Sequence, residues 1–323
     1  MINKILICGF GSMGRKYYEL LRLNYKNIKI GLLRQKSSDE PFEKRSVKTF
    51  HTLEDSLAWA PNAAIISTPA PFHLKQAIFY AQNNIPLLIE KPLAVDSQIF
   101  TACKDLKLLS ENIPILIGYV LRHDPAHNQI KKYLRDGKIG KIVDASFSCG
   151  SWLPSWRENQ DYKKSVSARK QLGGGVLLEM SHELDLANSF LGKIDIKHAI
   201  ISNSNLLDID SNVEDKVQIS GLSKDQVFVN LNLNFCTKPT SREIIFRGSD
   251  GLIKWNLTKG KLIHVNASHL ETVKTFSVDP LYRLNSELKH FMKCCLKQEE
   301  PIVKFQDGLN VLNQIREIRL LNQ

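Results

Sequence analysis

Through about the first 120 residues, short apolar runs alternate with amphipathic ones. The runs Asn3 to Cys8, Ile28 to Leu33, Ala63 to Thr68, Pro86 to Glu90 and Ile115 to Tyr119 have the length and aliphatic content of strands buried on both faces. Between them, Tyr17, Leu20, Leu21 and Leu23 form an apolar stripe at helical spacing, and His73 to Gln82 and Ser97 to Leu109 read as further helices. Strands alternating with helices predict a parallel, doubly wound sheet. Ligands bind such sheets outside the carboxyl ends of the strands, where Gly9, Thr68, Glu90 and Tyr119 fall.

Beyond residue 122 the pattern changes. Asp124-Pro125 opens a helix that runs to Arg135, and Gly137 and Gly140 close it. Strand-like runs then follow one another with short turns: Ile142 to Cys149, Ile194 to Ile201, Val213 to Leu222, Gln226 to Phe235, Glu243 to Gly248 and Gly251 to Trp255. Their succession predicts a mostly antiparallel sheet. One helix from Gly175 to Leu191 interrupts them, and Leu284 to Leu296 and Phe305 to Leu321 end the chain as helices. The expected domains are 1–121 and 122–323, with the last helix packing back on the first domain.

Composition narrows the class. The chain has 323 residues, 43% hydrophobic and 24% charged, enough for two ordinary globular domains. No apolar run is long enough to span a bilayer, and Met1-Ile2-Asn3-Lys4 leads straight into the first strand, so no signal peptide is expected. Six cysteines are scattered without a CxxC pair, which reads as reduced thiols in a cytoplasmic protein. The net charge of +11 comes from dispersed Lys and Arg, without a basic block or nucleic-acid motif. It suits anionic small molecules better than nucleic acid.

Gly9-Phe10-Gly11-Ser12-Met13-Gly14 lies between the first strand and the first helix. In that context Gly9 permits a tight turn, Gly11 lets backbone approach a pyrophosphate, and Gly14 lets the helix pack on the strand. The helix start at Ser12 and Met13 then offers N–H groups and a positive dipole end to phosphates. A dinucleotide site that prefers NAD usually carries an acidic residue at the tip of the second strand. Here the tip reads Leu33-Arg34-Gln35-Lys36-Ser37, so Arg34, Lys36 and Ser37 favour a 2′-phosphate, and NADP is preferred over NAD.

Further strings extend the pattern: Ser67-Thr68-Pro69 followed by His73, Glu90-Lys91-Pro92-Leu93-Ala94, Gly118-Tyr119 leading to Arg122, Gly173-Gly174-Gly175 with Glu179, His182 and Asp185, and Phe305-Gln306-Asp307-Gly308-Leu309. In this order they resemble the glucose–fructose oxidoreductase and inositol dehydrogenase (Gfo/Idh/MocA) family, over almost the whole chain. The resemblance implies an α/β fold: an N-terminal Rossmann doubly wound parallel sheet, then an α/β domain with a large open, mostly antiparallel sheet. That sheet often makes a homodimer or homotetramer interface in the family. The implied chemistry is reversible hydride transfer between a nicotinamide and a hydroxyl-bearing carbon of a sugar, cyclitol or related ring.

The resemblance also implies roles. Lys91 would hydrogen-bond the substrate oxygen and exchange protons, with Glu90 orienting it or contacting the cofactor ribose. Ser67, Thr68, Pro69 and His73 would line the cofactor. His182 would be the proton donor or acceptor. The family's usual Asp four residues before this His is Leu178 here, and Glu179, three before, is expected to substitute from the same helix face. Arg122 and His123 would face the cleft. The polar segment Trp152 to Lys170 offers Trp152, Trp156, Arg157, Tyr162 and Arg169, which suit a sugar ring with an anionic group, such as a nucleotide-linked sugar of cell-surface biosynthesis. His123 and His127 share a helix face without a third ligand, so no metal site is expected. The alternative function is a non-catalytic regulator that senses dinucleotide on the same scaffold.

Overall fold

The computed structural model of the chain describes residues 2–35, 47–95, 106–157 and 161–322. Two compact units emerge: Met1–Val120 with Leu281–Leu312, and Leu121–Pro280 with Asn313–Gln323. The sequence pattern assigns everything from 122 up to the last helix to one domain. Instead the segment from Leu281, which carries nearly all of a further helix, groups with the first unit.

In the first unit the elements run β1 (Lys4–Cys8), α1 (Ser12–Asn24), β2 (Lys29–Leu33), β3 (Lys48–Phe50), α2 (Leu53–Ala58), β4 (Ala63–Ile66), α3 (His73–Gln82), β5 (Leu87–Glu90) and β6 (Ile115–Gly118). The expected helix from Ser97 begins outside the described residues; 106–109 are helical. All six strands are parallel, in the order β3-β2-β1-β4-β5-β6. Ile5, Leu6, Ile7, Cys8, Ile65, Ile66, Leu88 and Ile89 are all fully buried, which is why these strands read as unbroken apolar runs. The chain leaves β1 for β2 on one side and reaches β4 on the other. The carboxyl ends of β1 and β4 therefore flank the switch point where such sheets hold ligands.

The second unit opens with α4 (Pro125–Arg135), capped by Asp124, whose side chain accepts from the Ala126 N–H at 2.8 Å. Its sheet has eight strands: β7 (Ile142–Gly150), β8 (Asp195–Ser202), β9 (Lys216–Leu222), β10 (Phe228–Asn234), β11 (Ser241–Gly248), β12 (Gly251–Asn256), β13 (Lys261–Asn266) and β14 (Glu271–Thr275). The order is β14-β13-β12-β11-β7-β10-β9-β8, antiparallel except for β7 against β10. Phe147, Leu231, Ile219, Phe246 and Trp255 form its buried face.

The single helix expected over Gly175 to Leu191 is two helices, α5 (Val176–Glu179) and α6 (His182–Leu191). At Met180 the backbone leaves helical geometry (φ −101°, ψ 28°), and the Glu183 N–H bonds the Met180 carbonyl, a tighter three-residue closure. The chain ends with α7 (Pro280–Cys295) and α8 (Phe305–Leu320).

Candidate active site

In the first unit the glycine loop sits at the carboxyl end of β1. Gly9 has φ +86°, and a side chain there would lie 2.8 Å from the Thr68 nitrogen, so the loop is pressed against the end of β4. Ser67 Oγ ties the two loops together, within hydrogen-bond distance of the carbonyls of Cys8 (3.1 Å) and Gly9 (3.0 Å), to one of which it donates its proton. A β-carbon on Gly14 would strike the Gly9 carbonyl oxygen, whereas one on Gly11 would meet nothing within 4 Å. Gly11 is also the N-cap of α1, with no side-chain cap and no acidic residue in the first turn. Open space over an uncapped helix start fits the phosphates of a dinucleotide. Ser12 is exposed and Met13 half-buried there.

At the tip of β2, Arg34 places its guanidinium 5.5 Å from the centroid of the Phe10 ring. Arg15, in the first turn of α1, lies 5.0 Å from the same ring. Sequence reading missed Arg15; its signal was a basic residue directly after the third glycine. Lys36 and Ser37 lie outside the described residues.

Thr68 Oγ1 donates to Gln76 at 2.9 Å, and Pro69 is half-buried beside it. His73 was expected to line the cofactor, but it is 1% exposed and held between two carbonyls, Pro92 (2.9 Å, Nδ1) and Thr68 (2.6 Å, Nε2). It ties two strand-end loops together. Burial lowers its pKa, the two carbonyls oppose that, and the Lys91 charge adds to it.

Lys91 follows β5, half-buried, with a cis peptide bond to Pro92. Its backbone N–H donates to Glu90 Oε2 at 3.2 Å. Glu90 is buried and accepts from the Tyr17 hydroxyl through Oε1 at 2.7 Å. Burial raises the Glu90 pKa, while Tyr17 and the charges of Lys91 and Lys16 pull it down.

In the second unit, His182 and Glu179 are both half-buried. Because α5 ends at Glu179 and α6 begins at His182, the two residues do not share one helix face, contrary to the expectation from their spacing. Arg122, expected to bind substrate, is buried and makes a bidentate pair with Asp185: Nε to Oδ2 at 2.8 Å and an NH2 group to Oδ1 at 2.7 Å. Glu183, next to His182, is likewise buried and pairs with Arg242 at 2.6 Å. Two ion pairs thus anchor the helix that presents His182. His123 is half-buried.

The described residues of the polar segment form short 3₁₀ turns over 153–155, 162–164, 166–168 and 170–172. It brings Trp156, Arg157 and Tyr162 around one small pocket with Leu153, Ser165 and Ser167. Trp156 Nε1 donates to Ser151 Oγ at 2.8 Å and the ring stands edge-on to Phe235. Tyr162 accepts the Asp208 N–H at 3.1 Å. Trp152 lies under the Lys238 ammonium, 4.3 Å from its centroid, and the exposed Arg169 donates to the Lys163 carbonyl at 3.4 Å; neither lines that pocket. Among the described residues no cluster of three or more His, Cys, Asp or Glu could hold a metal ion. No helix among them is long and apolar enough to cross a membrane.

Comparison with known proteins gives two family matches. Residues 3–112 match the oxidoreductase family with an NAD-binding Rossmann fold, and residues 127–254 match the GFO/IDH/MocA C-terminal domain. The chain is 30% identical over 139 residues to levoglucosan dehydrogenase of Pseudarthrobacter phenanthrenivorans, covering 42% of this chain and 35% of that protein. It is 23% identical over 145 residues to inositol 2-dehydrogenase of Corynebacterium glutamicum, covering 43% of each. The matched stretches thus span less than half the length of these relatives. Among solved structures, levoglucosan dehydrogenase in complex with NADH and levoglucosan superposes with a TM-score of 0.83 at 17% identity, covering 99% of this chain and 96% of that one. The WlbA dehydrogenase of Bordetella pertussis, in complex with NADH and UDP-GlcNAcA, superposes with a TM-score of 0.80 at 17% identity, over 99% and 96% of the two chains. These likenesses agree with the fold of both units. The family matches over both halves place the chain in the Gfo/Idh/MocA oxidoreductase family, with an NAD-binding Rossmann domain at its N-terminal end.

Proposed function

We propose that the protein is an NADP(H)-preferring oxidoreductase acting on a hydroxyl-bearing carbon of a sugar, cyclitol or nucleotide-linked sugar. The observation that carries this is the pairing, at the carboxyl ends of one parallel sheet, of a glycine cradle open at Gly11 with Lys91 on a fixed strand end. Gly9, Gly11, Ser12, Met13 and Gly14 would hold the pyrophosphate, and Thr68 and Pro69 would line the cofactor's path. Bound there, the nicotinamide supplies or accepts the hydride.

Lys91 would hydrogen-bond the substrate oxygen and stabilise the charge that develops on it. His182 would give or take the hydroxyl proton, as an imidazole can act as either donor or acceptor. Trp156, Arg157 and Tyr162 support a sugar with an anionic substituent, because they lie together and combine ring faces with a cation. The preference for NADP rests on Arg34 and Arg15, two guanidinium groups beside one ring at the tip that lacks an acid.

The test is nicotinamide absorbance with NADP and NADPH across free, acidic and nucleotide-linked sugars. Lys91→Met should lower turnover by about 100-fold or more while dinucleotide affinity stays within a few-fold. Arg34→Ala should weaken NADPH binding by about tenfold and spare NADH. Turnover that survives Lys91→Met sinks the mechanism. Dinucleotide binding without turnover on any substrate favours a sensor over an enzyme. Equal NADH and NADPH affinity, unmoved by Arg34→Ala, sinks the cofactor preference.

A further inference from the structure

The Tyr17 hydroxyl lies 2.7 Å from Glu90 Oε1 and 2.9 Å from Glu287 Oε2, and all three residues are buried. Glu287 comes from α7, in the same compact unit as Tyr17 and Glu90. A hydroxyl carries one proton, so it donates to one carboxylate only. The second contact is a hydrogen bond only if the other carboxyl is protonated and donates to the tyrosine oxygen. Without that proton, two carboxylates would face one donor in a water-free interior, where neither is solvated.

The surroundings decide which carboxyl holds the proton. Glu90 has the shorter contact to Tyr17, accepts the Lys91 N–H, and feels the positive charges of Lys91 and Lys16. Glu287 Oε1 is buried with no hydrogen-bond partner among the described residues. Burial first, and then the Glu90 charge, push the Glu287 carboxyl well above the usual carboxylate range, against the Tyr17 bond. Burial, together with the Glu90 carboxylate, keeps the Tyr17 hydroxyl protonated.

We propose that Glu287 is a neutral acid at physiological pH that donates to Tyr17, so that Tyr17 donates to the Glu90 carboxylate and Glu90 holds the backbone N–H of Lys91. Glu287 is thus a positioning residue for Lys91, a role that rests on reading Lys91 as the substrate-facing lysine. The ionisable groups facing this cluster are Tyr17 and Lys16 of α1, Glu90 and Lys91 at the end of β5, and Glu287 of α7. In alkali Glu287 loses its proton, Tyr17 can serve only one of two anions, and the hold on Lys91 weakens.

Infrared spectroscopy and hydrogen exchange on the full-length protein test this without cofactor or substrate, so the result is independent of the turnover assay. At neutral pH the wild type should show the C=O stretch of a neutral carboxylic acid, and Glu287→Gln should remove it. In the peptide from Glu90 to Ala94, Tyr17→Phe and Glu287→Ala should speed exchange of the Lys91 amide about tenfold. Glu287→Gln should restore protection, because its amide still donates to Tyr17, and should keep it to higher pH than the wild type. Glu287→Gln also stands in if Glu287→Ala does not fold. A neutral-acid band that persists in Glu287→Gln overturns the protonation. Lys91 exchange unchanged in Tyr17→Phe overturns the positioning.

Discussion

His127 is 4% exposed, with Nε2 against Ser189 Oγ at 2.8 Å, its ring against Phe190, and a buried Nδ1 that has no hydrogen-bond partner among the described residues. Burial lowers its pKa to about 3, helped by the charges of Arg122 and Lys131. The unfolded chain takes up that proton near the ordinary value of about 6.5. The group's contribution is therefore present above about 6.5 and lost as pH falls toward the folded value. Between about pH 6.5 and pH 5, wild-type unfolding free energy in urea should fall by about 1.5 kcal/mol more than that of His127→Gln. Equal losses would rule His127 out as the titrating group. The neighbouring Arg122 shows why residue-level reading of the site ran out. A cation just after a strand end reads the same whether it meets a ligand or Asp185, 63 residues away. That Lys91 and Arg34 sit at strand ends was legible because their strands were, while the setting of Glu287 was not, because nothing local to α7 says which buried partner it meets.

Among the elements, the glycine loop separates two roles that one motif combines. Gly14 packs the helix on the loop, and a β-carbon there would collide with backbone at Gly9 and lie 2.9 Å from Ser67 Oγ. A β-carbon on Gly11 would meet nothing within 4 Å, and its backbone is extended (φ −77°, ψ −158°). Gly14→Ala should thus cost about 2–4 kcal/mol in thermal or urea unfolding. Gly11→Ala should fold with stability within about 0.5 kcal/mol of wild type and lose dinucleotide affinity by about tenfold or more. Comparable destabilisation by both would mean that Gly11 serves packing rather than a ligand. The elements with long apolar runs were legible from periodicity, since burial on both faces of β1, β4 and β5 confines polar residues to their ends, Lys4 and Glu90. β3 has three residues with one buried, and β14 is exposed throughout, so neither carries a hydrophobic signal. β13 and the six-residue α2 escaped for related reasons: mixed burial in one, shortness in the other. The break between α5 and α6 was invisible because Met180 and Ser181 are both buried and continue the helical pattern without Gly or Pro.

At the scale of the whole molecule, a chain with a net charge of +11 repels its own copies unless the surfaces that meet are locally neutral. The eight-stranded sheet has such a surface. Its inner face is covered, with Phe190 of α6 packed 5.2 Å from Phe246. In the middle of the other face lie Gln218 and Ser220 on β9, Asn230 and Asn232 on β10, and Ser146 and Ser148 on β7, none of them charged, with the exposed Lys216 beyond them at the start of β9. The charges near its centre are paired on the sheet itself, Arg247 with Asp144 at 2.7 Å and Lys254 with Glu243 at 2.9 Å. A two-fold contact through this face would bring polar, neutral rows together without like-charge repulsion, and we propose that it forms the homodimer or one interface of a homotetramer. Light scattering coupled to size exclusion should then give at least twice the 36.7 kDa chain mass. Asn230→Lys with Asn232→Lys would place four ammonium groups across the two-fold axis and should yield a monomer with unchanged circular dichroism. A monomeric wild type, or a double variant that keeps its mass, would remove this face from consideration as the interface.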